Sequence, residues 1–71
     1  MLNQKALRKK MIDVGVTVKD LVKVLNISRS AVYYKLTGKH DFTASEISAL
    51  RYILRLTNDE TASIFFAESV A

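Results

Sequence analysis

The segment TVKDLVKVLNISRSAVYYKLTG, residues 17 to 38, decides the fold of this chain. It predicts two short helices that meet at a tight corner. Thr17 can cap the first helix while Asp20, three residues later, reaches back to complete a capping box. Asn26 then ends that helix, because asparagine tolerates the left-handed backbone conformation of an abrupt helix stop. Ser28 can cap the second helix, which we expect to run to about Thr37.

Three further helices are predicted on either side of this pair. The first covers about Asn3 to Val14 and ends at Gly15, which can adopt the left-handed conformation of a helix C-cap. The fourth and fifth begin at Thr43 and Thr57, each the first residue of a capping box that ends in glutamate. The chain has no proline and only two glycines, which argues against a turn-rich β fold. We therefore expect an all-α fold of five helices in a single domain, residues 1–71.

Apolar residues at helical spacing predict the buried faces of these helices. In the first four helices and the corner they are Leu7, Met11, Val14, Val18, Leu21, Val22, Leu25, Ile27, Val32, Leu36, Ile47, Leu50, Ile53 and Leu54. The end of the chain carries more apolar residues than a short terminal helix must bury, namely Ile64, Phe65, Phe66 and Val70. These either dock the fifth helix on its own core or form a dimer surface.

The charge of the chain is distributed unevenly. Residues 1–39 carry nine basic and two acidic residues, a net charge of +7, whereas residues 40–71 carry two basic and five acidic residues, a net charge of −3. A basic half beside an acidic one is typical of a protein that binds a polyanion, although it also serves solubility. The longest uncharged stretch, residues 61–67, is too short to span a membrane, and no signal peptide is predicted.

The second helix of the central pair has a polar face opposite the one that Val32 and Leu36 would bury. The fork of an arginine at its start suits the acceptors of a guanine in the major groove. Serine and tyrosine hydroxyls offer hydrogen bonds to bases or phosphates, and a tyrosine ring can press on a thymine methyl group. The residues predicted to be exposed on this face are Arg29, Ser30, Tyr33, Tyr34 and Thr37.

Other side chains are candidates for contacts with a phosphate backbone. Thr17 and Ser28 stand at helix N-termini, where hydroxyl and N–H groups can meet a phosphate. Lys19, Lys35 and Lys39 would add salt-sensitive contacts. Each has a simpler explanation as well: the hydroxyl residues as N-caps, the lysines as solvated surface, and one of the two tyrosines as a cover for the core.

Little in the sequence supports catalysis. His40, the only histidine, lies in the predicted connector after the third helix, where a histidine is typically solvated or a weak phosphate contact. The chain has no cysteine, no metal-binding spacing of histidines or carboxylates, and no glycine-rich phosphate loop. We expect no enzymatic activity, no cofactor and no metal.

From Leu7 to about Phe66 the chain resembles the Cro/C1-type helix-turn-helix domains of temperate-phage and bacterial regulators. The resemblance rests on DLVKVLNIS at residues 20–28, VYYKLTGK at residues 32–39, and the FTxxEI motif where the fourth helix starts. The closing TNDETASIFF is similar to the tail of small Cro-like proteins from phages of Gram-positive bacteria. Two positions depart from the pattern: Val22 replaces an alanine or glycine, and Val18 replaces a polar residue that often faces DNA.

The resemblance implies a compact five-helix, lambda-repressor-like DNA-binding domain, with its helix-turn-helix at about residues 17–38. It implies a Cro-like repressor in the phage genetic switch, a monomer or weak homodimer on double-stranded operator DNA, in the cytoplasm of a bacterial host and associated with the nucleoid. The alternative is an antirepressor or modulator that binds the phage repressor protein. The DNA-binding roles implied are base reading by Arg29, Ser30, Tyr33 and Tyr34, and backbone positioning by Thr17, Ser28, Thr37 and Lys39.

Overall fold

The computed structural model describes residues 2–66, and this part of the chain is all-helical, as expected. Its five helices are α1 (Gln4–Val14), α2 (Val18–Leu25), α3 (Arg29–Leu36), α4 (Ala44–Ile53) and α5 (Asn58–Phe65). The helix α2 packs against α3 and α4, while α1 packs against α5. No helix of the described part is both long enough and apolar enough to cross a membrane.

Local hydrogen bonds at the helix ends explain why the chain divides at these positions. Thr17, Thr43 and Thr57 each form a complete capping box, as predicted. Gly15 and Asn26 end α1 and α2 in the left-handed conformation, with φ of 75° and 54°. A side-chain cap stabilises a helix by about 1 kcal/mol, so the sequence fixes the helix starts locally, before any tertiary contact.

A second non-glycine residue with a left-handed backbone, after Asn26, was not expected from the sequence. Arg55 follows the end of α4 with a φ of 55°. The turn is closed by the N–H of Leu56, which donates to the carbonyl of Arg51 at 3.0 Å. This turn directs Leu56 into the core, where only 8% of its surface remains exposed.

The core lies where the inner faces of all five helices meet. Most of the predicted apolar positions are either buried or packed against the buried set. Val14 was predicted wrongly, since it is 37% exposed in the last turn of α1. Val16 packs against the core instead, because its N–H donates back to the carbonyl of Met11 at 2.8 Å. The buried apolar residues are Leu7, Met11, Leu21, Val32, Leu36, Leu50, Leu54, Leu56, Ile64 and Phe65.

The apolar end of the chain is divided between the core and the surface. Ile64 and Phe65 are 3% and 7% exposed, so both dock α5 on its own core rather than offering a surface to a second copy. Phe66 is 61% exposed. Val70, the fourth residue of the predicted dimer surface, lies outside the described residues.

Candidate nucleic-acid interface

One side of α3 is buried and the other is open to solvent. Val32 and Leu36 are 0% and 1% exposed, and they hold the helix against α2 and the core. Tyr33 and Tyr34 retain 43% and 45% of their surface, and neither ring belongs to the buried core. The structure therefore favours two exposed tyrosines over one that covers the core. All five residues predicted for this face are exposed: Arg29, Ser30, Tyr33, Tyr34 and Thr37.

Arg29 stands at the first position of α3 with its charge unbalanced. Among residues 2–66 the ion pairs are Lys9–Asp13, Lys10–Glu60 and Lys35–Glu46, and none includes Arg29. Its guanidinium is thus left for an external acceptor, which a planar fork of five donors can meet with two parallel hydrogen bonds.

The N-terminus of α3 differs electrostatically from that of α2. At α3, the hydroxyl oxygen of Ser28 accepts from the N–H of Ala31 at 3.1 Å, and the first turn has no acidic residue. At α2, the carboxylate of Asp20 accepts from the N–H and the hydroxyl of Thr17 at 2.8 and 3.0 Å. Both hydrogen bonds lower the pKa of the Asp20 carboxyl, and the bond from the Thr17 backbone contributes most. A phosphate that contacts Thr17 would have to displace the Asp20 carboxylate. At Ser28 the first turn of the helix has no carboxylate to displace.

Lys35 has a structural role that the sequence did not predict. Its side chain is only 14% exposed, and its Nζ lies 2.8 Å from Oε1 of Glu46 in α4. The same Nζ donates to the carbonyl of Asp41 at 3.0 Å. Lys35 was expected either to contact phosphate or to be a solvated surface lysine. The solvated alternative is wrong, because the ammonium holds α3, α4 and the connector between them together.

Glu46 is correspondingly well fixed in its charged form. Burial acts to raise the pKa of its carboxyl, but hydrogen bonds from Lys35 and from the backbone of Thr43 outweigh burial and lower the pKa overall. The Glu46 carboxyl therefore stays charged to a lower pH than an ordinary glutamate does.

The connector after α3, residues 37–43, carries the last two predicted contacts, Thr37 and Lys39. The hydroxyl of Thr37 donates to the carbonyl of Tyr33 at 2.9 Å, which leaves its oxygen free only as an acceptor. Lys39 places its Nζ 5.5 Å from the ring centre of Tyr34. His40, which was not predicted to join the face, lies with its ring centre 5.5 Å from that of Tyr34.

The connector thus adds a cation and an imidazole to the open face of α3. The structure brings Tyr34 and Lys39 together and joins Tyr33 to Thr37 by a hydrogen bond, while Thr17 remains at the end of a different helix. The contribution of His40 has one signal in the sequence: Gly38, at φ 81°, allows a turn that brings the following residues back onto α3.

Comparisons of the chain with protein-family models, with curated proteins and with solved structures find no match. The functional assignment therefore depends on the geometry of the α3 face. That face combines an arginine that has no ion-pair partner among residues 2–66, four hydroxyl-bearing side chains and a connector lysine over an exposed aromatic ring. Such a surface can bind an acceptor-rich, negatively charged partner by hydrogen bonds and charge.

Proposed function

We propose that this protein is a DNA-binding transcriptional regulator, a Cro-like repressor in the genetic switch of a temperate phage. In this proposal α2 and α3 form a helix-turn-helix, and α3 lies in the major groove of an operator. The observation that carries the proposal is the open face of α3, on which Arg29, Tyr33 and Tyr34 are exposed while Val32 and Leu36 of the same helix are buried. A helix fixed by one side and polar on the other is what groove reading requires.

Four residues of the face, and Ser28 and Lys39 beside it, have roles in this proposal. Arg29 directs its fork to the O6 and N7 atoms of a guanine, the commonest specific contact in the major groove. Ser30 and the two tyrosines meet neighbouring bases and the thymine methyl group. Ser28 and Lys39 meet phosphates and set the register of the helix on the duplex. Repression follows from occupancy, because a protein on the operator excludes polymerase or a competing repressor.

Oligomeric state limits the affinity that this mode can reach. A single module of this size makes few contacts, so useful specificity usually comes from two copies on a two-fold site. Ile64 and Phe65 are buried in their own core, which leaves Phe66 as the exposed apolar residue at the end of the described chain. We propose a monomer that dimerises weakly, with the operator holding the two copies together.

The test begins with a selection of bound duplexes from a pool with a randomised core, followed by affinity measurements on the selected sequence by fluorescence anisotropy. Arg29→Ala should weaken binding by about 1 to 3 kcal/mol and relax the preference at one guanine. Arg29→Lys is the matched control, since it keeps the charge but loses the two-bond fork. It should keep the salt dependence and lose the guanine preference. Unchanged binding by Arg29→Ala would contradict base reading by α3.

A second function uses the same face. Two tyrosines that are more than 40% exposed beside an unpaired arginine are also typical of protein-binding hot spots. The protein would then act as an antirepressor or modulator by binding the phage repressor. Absence of salt-dependent DNA binding, together with co-elution of the protein with that repressor, would favour this alternative over operator binding.

A further inference from the structure

We propose that Tyr34, Lys39 and His40 form a phosphate clamp, a site that binds one phosphate group of a polynucleotide backbone and takes up a proton at His40 as it does so. The clamp deepens the proposed function and rests on it. It would make binding of the duplex depend on pH as well as on salt.

The backbone of the connector fixes the clamp in place. The N–H groups of Lys39 and His40 both donate to the carbonyl of Tyr34, at 2.9 and 3.2 Å. These two hydrogen bonds turn the connector back toward α3, and the side chains of Lys39 and His40 lie beside the Tyr34 ring. The Lys39 Nζ and the His40 ring centre each lie 5.5 Å from the Tyr34 ring centre. An ammonium and an imidazole are thus gathered beside the Tyr34 ring at the C-terminal end of α3.

A groove gives a ligand access to Tyr34 and His40, the two members of this cluster that line it. It has a volume of about 370 Å³ and runs beside α3 between Ala31, Tyr34 and Lys35 on one side and His40 and Asp41 on the other. Tyr34 belongs both to this groove and to the open face, so a duplex lying along α3 would bring its backbone to the groove.

The charges around His40 nearly cancel when its ring is neutral. The Lys35 ammonium is paired with the Glu46 carboxylate. The positive charge of Lys39 is offset by the negative charge of Asp41, two positions further along the chain. Among residues 2–66, the C-terminal end of α5 and its C-cap bring only apolar side chains, Phe65 and Phe66, to the second cavity that His40 lines. Protonation of His40 therefore changes the local net charge from about zero to about +1, which attracts an anion.

The direction of the pH dependence follows from linkage. A bound phosphate favours the charged imidazole, so the complex holds more protons than the free protein and binding strengthens as the pH falls. Histidine is the side chain that changes charge between about pH 8 and pH 5.5. The Glu46 carboxyl stays charged across this range, because its pKa is lowered in the folded protein.

The test measures binding to a mixed-sequence duplex of about 20 base pairs at about pH 8 and pH 5.5, over a series of salt concentrations. For the wild type, the slope of log affinity against log salt should steepen by about 0.9 at the lower pH, one added phosphate contact. His40→Gln should match the wild type at the higher pH and show no added slope at the lower. Lys39→Gln should lose about 0.9 of slope at both values. Lys9→Gln, which removes an equal charge from the exposed Lys9–Asp13 pair, is the control and should leave the slope unchanged.

The outcomes separate the clamp from the proposed function. Wild-type protein with no salt-dependent duplex binding at either pH would overturn the proposed function and the clamp with it. Salt-dependent binding whose slope does not respond to pH, or a response that persists in His40→Gln, would overturn the clamp alone. Competition by inorganic phosphate at matched ionic strength that abolishes the pH response would show a site for free phosphate and overturn its assignment to a polynucleotide. Thermal unfolding of each variant at both pH values shows that the comparison is made between folded proteins.

Discussion

Replacing Lys35 with methionine is expected to destabilise the fold by about 3 kcal/mol, because it leaves Glu46 charged and largely buried. The side chains of Lys35 and Glu46 are 14% and 12% exposed, and the Lys35 Nζ lies 2.8 Å from Oε1 of Glu46. Removing one partner of a fully buried pair costs about 3 to 5 kcal/mol. We expect the lower end of that range, since Glu46 still accepts from the Thr43 N–H at 2.8 Å and both side chains reach some water.

A loss of this size is easy to measure in so small a protein. At about 0.05 to 0.15 kcal/mol per residue, the free energy of unfolding of this chain is about 4 to 10 kcal/mol. A change of about 3 kcal/mol corresponds to a fall in Tm of about 12 to 24 °C. Urea and thermal unfolding near neutral pH, followed by circular dichroism, would give both quantities.

Two controls identify the cause of the loss. The double variant Lys35→Met/Glu46→Gln should recover much of the stability, because no uncompensated charge remains. Lys9→Met breaks an exposed pair whose side chains are 78% and 51% exposed, and should change stability by less than about 0.5 kcal/mol. A loss below about 1 kcal/mol for Lys35→Met, or strict additivity in the double variant, would refute this account of the pair.

Three other predictions concern stability. Carboxyl groups whose pKa is lowered in the folded protein make their full contribution to stability above their ordinary pKa values, 3.8 for Asp and 4.5 for Glu. They lose that contribution as the pH falls through the lowered values. The urea midpoint should therefore decline only below these values, and a decline beginning near pH 6 would contradict this assignment to Asp20, Glu46 and Glu60. Asn26→Ala should destabilise by about 1 kcal/mol in urea, because alanine tolerates the left-handed conformation poorly; no change would indicate that the corner relaxes. Arg55→Gly should stabilise by up to about 1 kcal/mol as the left-handed strain is relieved, and a lower Tm would show that the arginine side chain makes a compensating contact.

The helix boundaries were predictable because their signals are local. Thr17, Thr43 and Thr57 each find their hydrogen-bond partner three residues away, within reach before the chain has any tertiary structure. Asn26 and Gly15 take the left-handed conformation for reasons intrinsic to the residue. The burial of Val32 and Leu36 places Tyr34 on the opposite side of α3 by helical geometry, whereas the exposure of Arg29, three residues before Val32, does not follow from the spacing.

Contacts between distant residues were not predictable from the same signals. Lys35 and Glu46 are separated by 11 positions, and only the packing of α3 against α4 brings the ammonium to that carboxylate. In the sequence, Lys35 cannot be distinguished from the solvated Lys19. The return of His40 to Tyr34 likewise depends on the path of the connector. Arg55 was missed because few non-glycine residues adopt a positive φ, so no residue preference points to it.

The anchoring of the connector has a consequence for the entropy of association. The backbone of Lys39 and His40 is fixed to Tyr34, and that of Asp41 to the side chain of Lys35, before any partner arrives. A loop that must become ordered on binding loses backbone freedom worth about 1 to 2 kcal/mol per residue. This protein lost that freedom when it folded. A partner that binds there would therefore meet a rigid surface, and more of the contact energy would remain as affinity.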